Sequence, residues 1–148
     1  YGPYAPELKQ RITSLVNNGL VREEQLGRMF AVRVGQTFAD ARRAYEVQVQ
    51  QWAPIIEKVA DLFVRLNTQQ AEIAATVHFA AMEIEGRSKE TPTEKDVLQA
   101  VMEWKQRRRP PLQEKEVAVT IRNLNILSWI GARVSDDLPI IEEEFLHV

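Results

Sequence analysis

The sequence predicts a mainly α, multi-helix domain with winged-helix-like helix-to-strand ends and a small β-hairpin. Three observations carry that expectation. Apolar residues recur at three- and four-residue spacing along most of the chain, the mark of buried helix faces. One helix-to-strand phrase occurs twice: Leu8, Ile12 and Leu15 run into Gly19-Leu20-Val21, and Val117, Ile121 and Leu124 run into Ser128-Trp129-Ile130. The small residue in each phrase sits where a helix caps and an extended segment begins. The third observation is Met29 to Val34, an apolar run closed by Gly35, which follows a polar stretch and reads as the second strand of a wing.

The elements follow in order. Tyr1-Gly-Pro-Tyr-Ala-Pro6 is a stiff lead-in, and Pro6 suits the first turn of a helix running to Asn17. Leu20-Val21, the polar stretch Arg22 to Arg28 and the strand Met29 to Val34 complete a helix-plus-wing segment over residues 1–36. Residues 37–90 hold the central helices. Phe38, Ala41, Tyr45, Val49 and Trp52 form one stripe, and Pro54 places a kink or boundary at Gln51 to Ala53. Ile55, Val59, Leu62 (with Phe63) and Leu66 continue a second stripe. Asn67 or Thr68 then caps a helix whose inner positions are Ile73, Val77, Ala80, Ala81 and Ile84, before a polar loop from Gly86 to Glu90.

Residues 91–134 read as a helix pair and a terminal strand. Thr91 is the expected cap, with Pro92 in the first turn and Glu94 completing a capping box. Val97, Val101 and Trp104 form the stripe, Arg107 to Pro111 ends the helix, and the last helix starts near Gln113. The short turn makes the two helices an antiparallel-like pair with Trp104 facing Ile121. Trp129 to Val134 is the expected terminal strand, free to pair with the first wing, and residues 135–148 form an acidic tail. The length fits a single domain over residues 1–148.

Composition narrows the function. No apolar run reaches the roughly 20 residues of a membrane span. The absence of cysteine removes disulfides, thiolate metal sites and cysteine nucleophiles, and fits a cytoplasmic setting. A net charge of −2 disfavours a general nucleic-acid binder. His78 has no metal-ligand companion at helical spacing, and the carboxylates Glu83, Glu85, Asp136, Asp137 and Glu142 to Glu144 read as solvated neighbours. No serine has elbow context and no glycine-rich phosphate loop is present. The expectation is a protein with no catalytic set, no cofactor and no metal.

Two groups of contact residues stand out. Tyr1, Tyr4, Leu8, Ile12 and Leu15 form more apolar surface than one helix and wing can cover, and read as a protein contact or a self-association surface. Arg11, Arg22, Arg28, Lys105, Arg107, Arg108 and Arg109 are the candidate phosphate contacts of a winged-helix DNA-binding regulator. The bland alternative for Lys105 to Arg109 is stabilisation of a helix C-terminus.

The segment Tyr1 to Leu8, its helix and Asn18-Gly-Leu-Val21 resemble a widespread prokaryotic group. It comprises YwgA-like proteins, the SocA-type (Panacea) antitoxin domain and the C-terminal domain of DarG-type macrodomain antitoxins. Glu72 to Phe79, Val97 through Val101 to Lys105, and Glu116 through Leu124 to Ile130 share the likeness, which covers most of residues 1–130. The resemblance implies a non-catalytic module that recognises a protein partner, in several cases a toxin. The group usually places one or two helices before the Tyr-Gly-Pro-Tyr segment. Without them, the Leu8–Leu15 stripe needs another cover.

Overall fold

The computed structural model describes residues 3–140. Its element order is α1 (Leu8–Asn17), β1 (Val21–Leu26), β2 (Met29–Val34), α2 (Phe38–Ala44), α3 (Glu46–Phe63), α4 (Thr68–Ser88), α5 (Glu94–Lys105) and α6 (Glu114–Ile126). The described residues are mainly helical with one antiparallel hairpin, the fold class the sequence predicts. No helix among the described residues is long and apolar enough to cross a membrane. The described residues divide into two compact units, residues 5–64 and residues 65–140 with 3–4.

In the first unit, α1 ends at Asn18 and the chain reverses through Gly19 at φ 70°. The Gly19 amide donates to the Val16 carbonyl and the Leu20 amide to the Leu15 carbonyl, which makes a Schellman cap. β1 then pairs with β2 from Val21↔Val34 to Leu26↔Met29, around the two-residue turn Gly27-Arg28. The polar stretch Arg22 to Leu26 is therefore itself a strand. At the base of the hairpin Gly35 passes so close to Gly19 that an added Cβ would lie 2.1 Å from its carbonyl oxygen. Thr37 fastens the crossing by donating from its amide to the Gly19 carbonyl and from its hydroxyl to the Asn18 carbonyl.

The boundary expected at Gln51 to Ala53 falls instead at Tyr45, between α2 and α3. α3 runs unbroken through Pro54. The proline removes the N–H that would meet the Gln50 carbonyl. Both Gln50 and Pro54 are exposed, so water can serve the freed oxygen. Core positions were also expected for Tyr45 and Trp52, but they are 61% and 59% exposed. No residue described in α1, the hairpin, α2 or α3 is buried.

The second unit holds the core. α4, α5 and α6 pack against one another, burying Ile73, Val77 and Ala80 from α4, Val97 and Val101 from α5, and Val117 and Ile121 from α6. Asn67 caps α4 in a reciprocal capping box with Gln70, and the helix continues to Ser88 through part of the expected loop. On α5 the cap is Thr93 rather than Thr91, and its partner is Asp96 rather than Glu94. Ile121 is buried as expected; Trp104 is only half-buried, with its ring 5.7 Å from that of Phe79.

α6 ends as α1 does. The Ser128 amide donates to the Asn125 carbonyl and the Trp129 amide to the Leu124 carbonyl, with Ser128 at φ 57°. The duplicated phrase is a duplicated cap. Only the first copy leads into a strand. Trp129 to Val134 makes a single parallel bridge, Arg133 to Thr93, and does not pair with the hairpin. Its backbone is already engaged: the Asn125 amide group bonds both polar atoms of Ala132, and the Arg133 amide donates to the Pro92 carbonyl.

Candidate interaction surface

The apolar stripe of α1 lies at the surface of the first unit. Leu8 is 55% and Leu15 41% exposed, and Ile12 between them is half-buried. Three apolar side chains at i, i+4 and i+7 thus share one face with incomplete cover. Tyr4 is exposed but groups with the other unit, and Tyr1 lies outside the described residues. The structure therefore brings together Leu8, Ile12 and Leu15 out of the five expected contacts.

The hairpin adds apolar surface of its own. Met29, Phe30, Val32 and Val34 on β2 are all more than half exposed. Across from them β1 is polar, with Glu24 paired to Arg33 at 3.1 Å. An open groove of about 430 Å³ runs along α1 beside Lys9, Gln10, Thr13, Ser14, Asn17 and Asn18. Two of these side chains are committed to the helix itself: the Thr13 hydroxyl donates to the Lys9 carbonyl, and the Asn18 amide to the Ser14 carbonyl.

The candidate phosphate contacts fall into two sets. Arg11 on α1, Arg22 on β1 and Arg28 at the hairpin tip are exposed and belong to the first unit. Lys105 and Arg107 to Arg109 belong to the second. There the basic cluster is largely consumed within the unit. Arg108 grips the Glu72 carboxylate through Nε at 3.0 Å and Nη2 at 3.0 Å, and Lys105 Nζ reaches it at 3.1 Å. Arg109 donates to the Gln106 and Arg108 carbonyls. Lys105 and Arg108 are thus structural cations, and Arg107 and Arg109 are the exposed members of the run. The Arg108 guanidinium holds the Glu72 carboxyl below its ordinary value; burial opposes the shift and Lys105 reinforces it.

A second carboxylate is more deeply placed. Glu94, the first residue of α5, is fully buried. Its carboxylate accepts from Arg122 Nε at 2.8 and 3.0 Å, from Asn125 Nδ2 at 3.0 Å and from the Ser135 amide at 2.9 Å. Burial is the largest influence on this group and pushes its pKa up. The hydrogen bonds from Arg122, Ser135 and Asn125 together outweigh it, so the net shift is downward. The arrangement is a clamp, holding the segment after α6 against the start of α5. A readable signal existed for it: Glu94 shares the stripe of Val97, Leu98 and Val101, where a carboxylate has to be paired.

Among the described residues no three His, Cys, Asp or Glu side chains converge on a possible ion position. Comparison with protein-family models, curated proteins and solved structures returned no match.

Proposed function

We propose that this chain is a non-enzymatic protein-interaction module, antitoxin-like or regulatory, that engages a protein partner through α1 and the adjoining hairpin. One observation carries the reading. Residues 5–64 form a compact unit in which none of the described side chains is buried, while Leu8, Leu15, Met29, Phe30, Val32 and Val34 stand exposed. Such a unit gains little stability by itself, and association with a partner supplies the missing burial. The resemblance to SocA-type antitoxin domains supports a toxin-like protein as that partner. The test is affinity capture with the intact chain and with two variants. Ile12→Asp should abolish recovery of a specific protein, and Lys9→Asp, on the polar side of the same helix, should not. Equal recovery by both variants would remove α1 from the interface, and recovery of no specific protein would sink the reading.

A winged-helix DNA-binding role is the second reading, favoured by one feature. α1 is followed directly by the hairpin, with Arg11, Arg22 and Arg28 exposed along that path. Phosphate contacts make affinity fall steeply with salt. Replacing Arg22 and Arg28 with Ala should flatten that dependence by about one phosphate contact per arginine. Undetectable binding to mixed duplex DNA at low salt eliminates this role.

A further inference from the structure

α3 carries an apolar seam with coiled-coil spacing. Tyr45, at its N-cap, is followed by Val49, Trp52, Ile56, Val59 and Phe63 at intervals of four and three residues in alternation. These are the a and d positions of a heptad. All six are exposed, from 36% for Phe63 to 61% for Tyr45, and Ile55 beside the seam is 56% exposed. From Gln50 onward the outward positions are polar or proline (Gln50, Gln51, Pro54, Glu57, Lys58 and Asp61), whereas Val47, in the first turn of the same side, is apolar and 68% exposed. A sequence that segregates so cleanly on a helix is built to cover one face.

Magnitude and charge identify what covers it. The exposed seam amounts to on the order of 700 Å² of mostly apolar surface, above the roughly 300–600 Å² of a typical monomer's largest patch and close to the roughly 800 Å² that each partner gives a standard interface. Between Val49 and Phe63 no a, d, e or g position carries a charge, so the surface asks for no oppositely charged partner. It is also self-complementary. In an antiparallel pair the a residues of one helix meet the d residues of the other. That register sets Trp52 against Phe63 and Ile56 against Val59, aromatic on aromatic and aliphatic on aliphatic. Antiparallel helices also oppose their dipoles favourably. A two-fold pair repeats each layer on both sides of its axis.

We propose that α3 is a self-association surface on which a second copy of this chain docks antiparallel through the Trp52–Phe63 stretch of the seam. The inference does not rest on the partner reading, because the seam lies on a different helix from the Leu8–Leu15 stripe. Light scattering on the intact chain should give twice the 17.0 kDa chain mass at high micromolar concentration. Ile56→Asp should weaken association at least about 100-fold by burying an unpaired charge, with helical content by circular dichroism retained. Ile12→Asp should leave the dimer intact while abolishing partner capture, which separates this proposal from the functional one.

Because the chain has no cysteine, introduced thiols give a second, orientation-sensitive readout. Oxidising a mixture of Trp52→Cys and Phe63→Cys chains should yield the crossed disulfide. Phe63→Cys alone should not cross-link, since the two positions 63 stand roughly 16 Å apart along an antiparallel pair. A monomer at all concentrations overturns the proposal. So does a dimer that survives Ile56→Asp but not Ile12→Asp, or cross-linking confined to the single Phe63→Cys chain.

Discussion

At the scale of single residues, Glu94 bears most on stability. Its buried carboxylate satisfies Arg122, Asn125 and the Ser135 amide together, and no buried side-chain polar atom among the described residues is left without a partner. Glu94→Ala therefore strands a partly buried guanidinium and should cost about 3–5 kcal/mol, read by denaturant unfolding. The same group sets an acid limit. Its folded pKa lies below the ordinary 4.5, so its stabilising contribution is full above that value. As pH falls below 4.5 towards the lowered folded pKa, the contribution is progressively lost. Thermal midpoints of the native chain should therefore drop more steeply over this range than those of Glu94→Gln. Parallel curves would show that the clamp is not ionic. Trp104 has a smaller role than its place in the stripe implies. Half-buried against Phe79, it should cost about 1–3 kcal/mol on truncation to Ala rather than the roughly 3–5 kcal/mol of a fully buried tryptophan.

At the scale of elements, the α5 N-terminus shows where sequence reasoning reached and where it stopped. The motif Thr91-Pro92-Thr93-Glu94-Lys95-Asp96 holds two overlapping threonine-to-carboxylate spacings, of which only Thr91 with Glu94 matches the Glu/Gln capping-box signature and was expected. Long-range contacts select the second. The Glu94 amide and the Pro92 carbonyl bond to Arg133, which holds residues 92 and 93 extended, so the helix cannot begin before Glu94. Thr93→Ala should accordingly cost about 1 kcal/mol, and Thr91→Ala no more than about 0.5 kcal/mol. The opposite ranking in unfolding midpoints would return the cap to Thr91. Similar reasoning covers the other differences. Both helix ends were readable because a Schellman cap is local, whereas the fate of the chain after each cap depends on distant partners. Residues after Gly19 meet β2; those after Ser128 meet the start of α5. The apolar face on α1 was legible from spacing alone, since three apolar residues define a face whatever lies nearby. Tyr45, Val49, Trp52 and Val59 of the α3 seam were expected in buried stripes because periodicity shows that a face is apolar, not what covers it.

At the scale of the whole molecule, the two units differ in how they are stabilised, and hydrogen exchange should read that difference directly. α4, α5 and α6 enclose fully buried aliphatic side chains and are tied by the Glu72 and Glu94 clusters, so their amides open only with most of the unit. α1, the hairpin, α2 and α3 contain no buried residue among those described, and their helical hydrogen bonds are shielded by little apolar cover. In dilute solution the amides of residues 8–63 should therefore exchange far faster than the central amides of α4 to α6. If α3 docks on a second copy, raising the protein concentration removes its seam from water and ties its opening to dissociation, which slows exchange by mass action. Protection across Val49 to Phe63 should then rise with concentration, while protection across Ile73 to Ala81 stays constant. Ile56→Asp should erase the rise and leave the α4 values untouched. Strong, concentration-independent protection of α3 in dilute solution would mean that its apolar face is already covered within the single chain.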